Sequence, residues 1–375
     1  MTRHIVVIGG GYSGLAAALR TARRLRDARV TLVNPRAHFV ERVRLHQLAA
    51  GQQLREHPLA DVLGRAGVDF VLGRVRELDP DDRRLVVDSL EAPMRYDTLV
   101  YAVGSVADTN APGVTDHAAT VAEFAEARAL RDRVATVARE EGTVAVVGGG
   151  LTGIETAAEL AETYPRLRVR LVTDGKPGAT LSERGRSHLL RSFERLGVEV
   201  RGDAKAVEVR PGAVRLADGD AVTADLVVWA TGFGVPDLAA RSSLAVDAIG
   251  RVVVDDSLRS VSHPDVYAVG DSAVVGHTDG SPLRMACATA LPLGQYVGDV
   301  IAARANGKQP RPRRFRYVIR CLSLGRRDGL IQFVDAHDRP RERILTGRTA
   351  ARFKEMVVRG ATFTARRPGP YLPWR

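Results

Sequence analysis

The sequence predicts an α/β fold whose framework is two copies of a strand–turn–helix–strand unit. The first sign is an internal repeat. HIVVIGGGYSGLAAALRTARRL at 4–25 and TVAVVGGGLTGIETAAELAE at 143–162 are each a short β-branched run, a glycine cluster and an Ala/Leu-rich helical pattern. The second sign is the apolar run after each copy, VTLVN at 30–34 and VRLVT at 169–173. Gly9 to Asn34 and Gly148 to Thr173 therefore span the same 25 residues, at an offset of 139. The third sign is a set of short apolar strands that end on glycine: YDTLVYAVGS at 96–105, ADLVVWATGF at 224–233 and HPDVYAVGDSA at 263–273.

In each copy the glycines read G-x-G-x-x-G: Gly9, Gly11 and Gly14, then Gly148, Gly150 and Gly153. The first glycine permits a tight strand-to-helix turn, the second lets backbone approach a pyrophosphate, and the third lets helix and strand pack closely. The helix N-terminus then offers unpaired N–H groups and the positive end of its dipole to phosphate. A single copy is also what an ordinary glycine-rich turn looks like. Two copies in the same context predict two Rossmann-like dinucleotide-binding units. Gly104, Gly232 and Gly270 end strands at the edge where open α/β sheets bind ligands. Asp271 is placed to accept hydrogen bonds from ligand hydroxyls, a role compatible with capping a following helix.

Composition agrees with a folded chain of two or three domains: 375 residues, 45% hydrophobic, 26% charged, with 36 glycines. Cys287 and Cys321 have no CxxC or CxxxxC spacing, so neither a disulfide framework nor a paired dithiol is expected. No Cys/His cluster has metal-ligand spacing, and no metal is expected. The net charge of +11 is localised: residues 311–375 hold 17 Lys plus Arg against 5 Asp plus Glu. Arg abundance alone carries little weight, because a GC-rich genome produces it. The apolar strand begins by Ile5, Thr2 rather than Gly follows Met1, and there is no run of 18 apolar residues, so the expected address is cytoplasmic.

The two fingerprints, the AVG and ATG strand ends and VYAVGDSA together resemble the two-dinucleotide-binding flavoprotein family, over residues 1 to about 305. The resemblance implies FAD on the first unit and the GD motif, and NADH or NADPH as hydride donor on the second. It also implies that the second unit is inserted in the first: an FAD domain of 1–115 plus 236–310 and an NAD(P)H domain of 116–235. The family's disulfide-reductase branch carries a CxxxxC that is missing here, which rules out a glutathione- or lipoamide-type reductase. SLGRRDGLIQF at 323–333 and TGRTAARFKEMV at 346–357 resemble the C-terminal region of type II NADH:quinone oxidoreductases and of the related ferroptosis-suppressor and apoptosis-inducing-factor-like proteins. Residues 311–375 are thus expected to form a small α+β segment on the acceptor and membrane side.

The implied reaction is hydride transfer to FAD and electron transfer onward to a quinone or other acceptor. The resemblance places Glu155, just after Gly153, near nicotinamide and flavin for positioning or proton relay; an acid favoured by the helix dipole is the alternative. Glu159, one turn on, is expected to be solvated or a packing residue. Lys354, the sole lysine of 311–375, is implied near the flavin, with a solvated helix face as the alternative. Asn34 stands where the fingerprint expects an acid on the FAD ribose, which implies weakened but retained binding. Thr173 and Asp174, with Lys176 nearby, leave both NADH and NADPH open. Arg42, Arg44 and His46 lie where relatives approach flavin or pyrophosphate, Arg44 being assigned to FAD, although surface positions fit them equally.

Cys287 and Cys321 read as buried apolar residues, and sulfide:quinone chemistry, which needs cooperating cysteines, is disfavoured. A helix is expected from Arg348 to Arg359, with Phe353, Met356 and Val357 near one face and Gly360 as its C-cap. Such a basic amphipathic helix suits peripheral contact with an anionic membrane, on its inner face. A ferredoxin- or rubredoxin-type carrier is the alternative acceptor, and a flavin-stabilised binding module the alternative class. Nucleic acid is disfavoured because few aromatics beyond Phe315 and Tyr317 interleave the arginines. A homodimer is left open.

Overall fold

A computed structural model describes residues 2–277, 280–313, 315–367 and 369. It contains two five-stranded sheets, each parallel throughout. The first runs Val266–Ala268, Thr98–Tyr101, His4–Ile8, Arg29–Asn34, Asp69–Leu72; the second runs Glu199–Arg201, Arg168–Val172, Thr143–Val147, Leu226–Trp229, Ala118–Thr120. Every strand of the second sheet falls in sequence between Tyr101 and Val266, so the second unit is inserted in the first. Both repeats use one register: Ile5 and Val6 pair with Val30 and Thr31, as Val144 and Ala145 pair with Val169 and Arg170. Continuous β-branched runs form these strands because both sheet faces are covered: on the second sheet, helices take one face and the antiparallel strands Ala206–Arg210, Ala213–Leu216 and Ala221–Thr223 the other, which leaves no solvent side to mark with polar residues.

The helices Tyr12–Arg24 and Leu151–Thr163 follow the two fingerprints. The long helix Cys287–Ala305 lies against the first of them, and a Cβ on its Gly294 would collide with the Ser13 backbone. Arg20, 2% exposed, anchors that contact through Asp299 at 2.9 Å.

The C-terminal segment is an antiparallel sheet, Ile319–Ser323, Gly329–Val334 and Pro340–Thr346, followed by the helix Gly347–Arg366. Arg314, Pro368 and residues 370–375 of this segment lie outside the described residues. The helix passes straight through Gly360, so the expected C-cap there is wrong. Ala350, Lys354, Val358, Thr362 and Ala365 form its buried stripe, and burial of the last two outweighs the roughly 1 kcal/mol that an interior glycine costs. Leu322, Leu324 and Leu330 join the core of the second sheet, together with Leu45 and Leu48. Three distant stretches of chain therefore meet at one place. No helix among the described residues is long and apolar enough to cross a membrane.

Asp328 ties this segment down. Its carboxylate accepts from Ser192 Oγ (2.8 Å), Arg195 Nη2 (2.8 Å) and the backbone N–H groups of Gly329 (2.7 Å) and Gly347 (3.0 Å), with His188 Nε2 at 3.0 Å. Burial works to raise this carboxyl, but the hydrogen bonds from His188 and Ser192 outweigh it and hold the group well below the usual carboxylate range. A group depressed on folding stabilises the protein above its unfolded pKa of about 4, and that contribution disappears as pH falls toward the folded value. Asp328→Ala is expected to cost about 3 kcal/mol in urea melts at neutral pH, the scale of breaking a buried charged network. The variant's deficit should shrink in acid.

Candidate active site

The two fingerprints have the same local geometry. Gly9, at φ +103°, abuts the Ala102 carbonyl, and Gly148, at φ +126°, abuts that of Ala230, so any side chain at either position would clash. A Cβ on Gly14 would meet the Gly9 carbonyl, and one on Gly153 the Gly148 carbonyl. The middle glycines differ: a Cβ on Gly11 or Gly150 would meet nothing within 4 Å. Each middle glycine thus opens a space directly before a helix N-terminus. Asn34 and Thr173 pack against these turns. Asn34 accepts from Gly10 N–H at 2.8 Å and donates to the Arg36 carbonyl at 2.7 Å, while Thr173 lies against Gly149. Asp174 and Lys176 are exposed beyond it.

At the strand ends of the first sheet, Gly104 and Gly270 bring two loops together. Ser105 Oγ donates to Asp271 Oδ2 at 2.7 Å and accepts from Arg42 Nη1 at 3.3 Å. Ser105 is the one hydrogen-bond partner of the Arg42 guanidinium among the described residues, which leaves most of its five donors for a ligand. Asp271 sits in a short turn, Gly270–Ser272, and does not cap the long helix, which starts at Cys287. Arg44, expected at the flavin, instead makes a forked pair with Glu355 (2.8 and 2.9 Å) and approaches Glu41. The 3₁₀ turn Arg42–Arg44 sends the two side chains to different partners, and Arg42 is the cation beside Ser105 and Asp271.

Deeper in, four elements deliver four side chains to one spot. Glu155 comes from the second fingerprint helix, His46 from Leu45–Ala49, Ser323 from the C-terminal sheet and Lys354 from the last helix. Lys354 Nζ contacts Glu155 and lies 3.1 Å from Ser323 Oγ. The Ser323 backbone N–H donates to Glu155 Oε1 at 2.9 Å, and its hydroxyl stands 3.4 Å from His46 Nε2. Glu155 lies in the second turn of a helix with no acid in its first turn, which weakens the helix-dipole alternative. Lys354 is 9% exposed at its side chain, so the solvated-face alternative fails too. Burial lowers its ammonium to about 7, with Arg44 adding to the effect and Glu355 opposing it. Burial pushes His46 well below its ordinary value, helped by Lys354, Arg44 and Arg326, so the imidazole is neutral.

Between the second fingerprint and the C-terminal segment runs a cleft of about 410 Å³, lined by Gly150, Leu151, Thr180, Arg284, Tyr317 and His337 among others.

The sequence model described as pyridine nucleotide-disulphide oxidoreductase matches residues 3–292. The chain belongs to this family. It is 35% identical to an NADH dehydrogenase-like protein of Mycobacterium tuberculosis over 320 residues, covering 80% of this chain and 79% of the relative. It is 28% identical to the type II NADH:quinone oxidoreductase of Staphylococcus aureus over 395 residues, covering 96% and 95%. Its fold matches the sulfide:quinone oxidoreductase of Aquifex aeolicus at a TM-score of 0.83 and 20% identity, covering 99% and 93%. The chain is an oxidoreductase whose cofactors are FAD and a nicotinamide dinucleotide. The residues present fit both groups: two open cradles at helix N-termini, and the Arg42 guanidinium with donors to spare.

Among the residues of this family cleft, Ser105 and Ser323 escaped the sequence reading, although both sit in stretches it singled out. Glu159, expected to be solvated or packed, is fully buried.

Proposed function

We propose that the chain is an FAD-dependent NAD(P)H:quinone oxidoreductase of the type II kind. The observation that carries this reading is the largely buried Glu155–Lys354 pair, which joins the second fingerprint helix to the C-terminal helix. The strand membership of the two sheets supports a division into an FAD domain (1–115 and 236–310) and an NAD(P)H domain (116–235). The Gly9–Gly11–Gly14 turn and Arg42 would hold the FAD pyrophosphate, and Asp271, beside Gly104 and Gly270, its ribityl hydroxyls. The Gly148–Gly150–Gly153 turn would hold the NAD(P)H pyrophosphate, with Gly232 at the adjacent strand end and Thr173 and Asp174 toward the adenosine. FAD, when bound, supplies two-electron acceptance from the nicotinamide and onward donation. Glu155 would position the donor and move a proton, and Lys354 would supply positive charge where negative charge develops. Burial pushes the Cys287 thiol up to about 11 and Cys321 to about 12, so neither is a thiolate at neutral pH, which argues against a sulfide substrate.

The last helix supports a peripheral site on the inner face of a membrane. Met356 and Phe363 are each 59% exposed, with Val357 beside them and Arg348, Arg352 and Arg359 around them. Each basic residue near an anionic bilayer contributes about 1 kcal/mol at low salt. Wild-type holoenzyme is expected to pellet with anionic vesicles at low salt. Reversing Arg348 and Arg352 should abolish this and slow long-tailed quinones more than soluble ones, with flavin reduction unchanged. If the wild type ignores the vesicles, the membrane reading is wrong and a soluble acidic carrier becomes the better acceptor.

A further inference from the structure

We propose that Glu159 carries protons between solvent and Glu155 along one face of the helix Leu151–Thr163. The proposal rests on the quinone reading above: NAD(P)H, one proton and a quinone give NAD(P)⁺ and a quinol, so each turnover draws one proton from bulk. Glu155, Glu159 and Glu162 lie at i, i+4 and i+7, which puts them in one row with neighbouring Cβ atoms about 5–6 Å apart. The row begins where Glu155 contacts Lys354. It ends at the surface, where Glu162 accepts the backbone N–H of Arg326, a residue 52% exposed.

Glu159 is the middle member and is 0% exposed. One of its oxygens accepts from Gln52 Nε2 and lies 3.5 Å from Arg326 Nε. The other, Oε2, is buried with no partner among the described residues. A residue present only to pin the Arg326 loop has no use for that second oxygen, and a neutral amide would pin the loop without burying an acid. The groups that face it are Arg326 from the C-terminal loop, Gln52 from the segment after Leu45–Ala49, and Glu155 and Glu162 from its own helix; His46 lies across Arg326. Burial raises this carboxyl to about 7, Arg326 and Gln52 opposing and Glu162 adding. Both protonation states are therefore populated at neutral pH, as a relay requires.

The test uses FAD-loaded Glu159→Gln and Glu159→Asp beside wild type, with a quinone and with ferricyanide, which takes electrons without protons. Glu159→Gln is expected to slow quinone turnover at least about ten-fold. It should also flatten the pH profile near 7 and enlarge the solvent deuterium effect, with ferricyanide reduction at the wild-type rate. Glu159→Asp should recover part of the loss. Independently of turnover, infrared difference titration should show a carboxyl band that titrates near pH 7 in wild type and is missing from Glu159→Gln. Equal slowing of both acceptors, an unaltered quinone rate and pH profile, or absence of the band overturns the proposal. If wild type reduces ferricyanide but no quinone, the acceptor reading falls and the infrared titration alone decides Glu159.

Discussion

Gly11→Val is expected to purify without flavin, whereas Gly150→Val should purify yellow and resist reduction by NADH and NADPH. The expected effect is steric and local. Both middle glycines face open space before a helix N-terminus, so each variant folds, because no protein atom lies within 4 Å of the added Cβ. The isopropyl group instead fills the volume a pyrophosphate must enter to reach the unpaired N–H groups. Overpacking against a rigid phosphate leaves no room for adjustment, so the expected effect is loss of binding. Gly9→Val or Gly148→Val is a poorer experiment, since each would drive a side chain into the carbonyl of Ala102 or Ala230 and disturb the sheet. Flavin content by absorbance, measured on protein whose melting curve matches wild type, checks the result. Equal loss of flavin from both variants would reject the assignment of the two repeats.

Glu155→Gln is expected to lower turnover by roughly 10² or more with FAD content unchanged, the range found when a general acid or base loses its proton. The amide keeps the volume and can still accept from Ser323 N–H, so the joint between helix and C-terminal sheet survives. Lys354 loses its carboxylate partner, but burial has already lowered its ammonium to about 7, so it can shed the proton and avoid standing as an unpaired buried charge. The rate loss should come with an altered pH dependence between about 6 and 8, because the remaining titrating group of the pair is Lys354. Lys354→Met in the same background should add little if the two side chains act as a unit. Unchanged turnover at every pH would reduce Glu155 to a structural acid.

Most of the fold was legible because its demands are short-range. The Gly9 and Gly148 turns admit no side chain, and the strand that follows each helix falls at a fixed distance, so the repeat alone located both sheets. Glu155 and Lys354 were legible through motif resemblance. Their meeting was not, since it joins residues 199 apart in sequence. Ser323 reaches Glu155 across 168 residues, and nothing in SLGRRDGLIQF indicates which side of its strand faces the cleft. Arg42 and Arg44 differ by two positions in a 3₁₀ turn, where strand alternation and helical periodicity both fail to say which one points inward. Glu159 reads as either solvated or packed, because ETAAELAE alone does not show what covers that face of the helix. The helix Leu45–Ala49, which packs on this helix, comes from the first unit. Gly360 misled because a glycine near a helix end is a stop signal only where no core lies beyond it, and here Thr362 and Ala365 are buried past it.

Anaerobic rapid mixing of the FAD-loaded protein with NADH or NADPH, followed by a second mix with a quinone, separates flavin reduction from electron delivery to the acceptor. Flavin absorbance is expected to bleach on the first mix within the turnover time and to return on the second, with quinol formed in equal amount to the flavin reoxidised. Flavin that stays oxidised with both nucleotides, or that is reduced and then reoxidised by ferredoxin or oxygen but by no quinone, would contradict the proposed function.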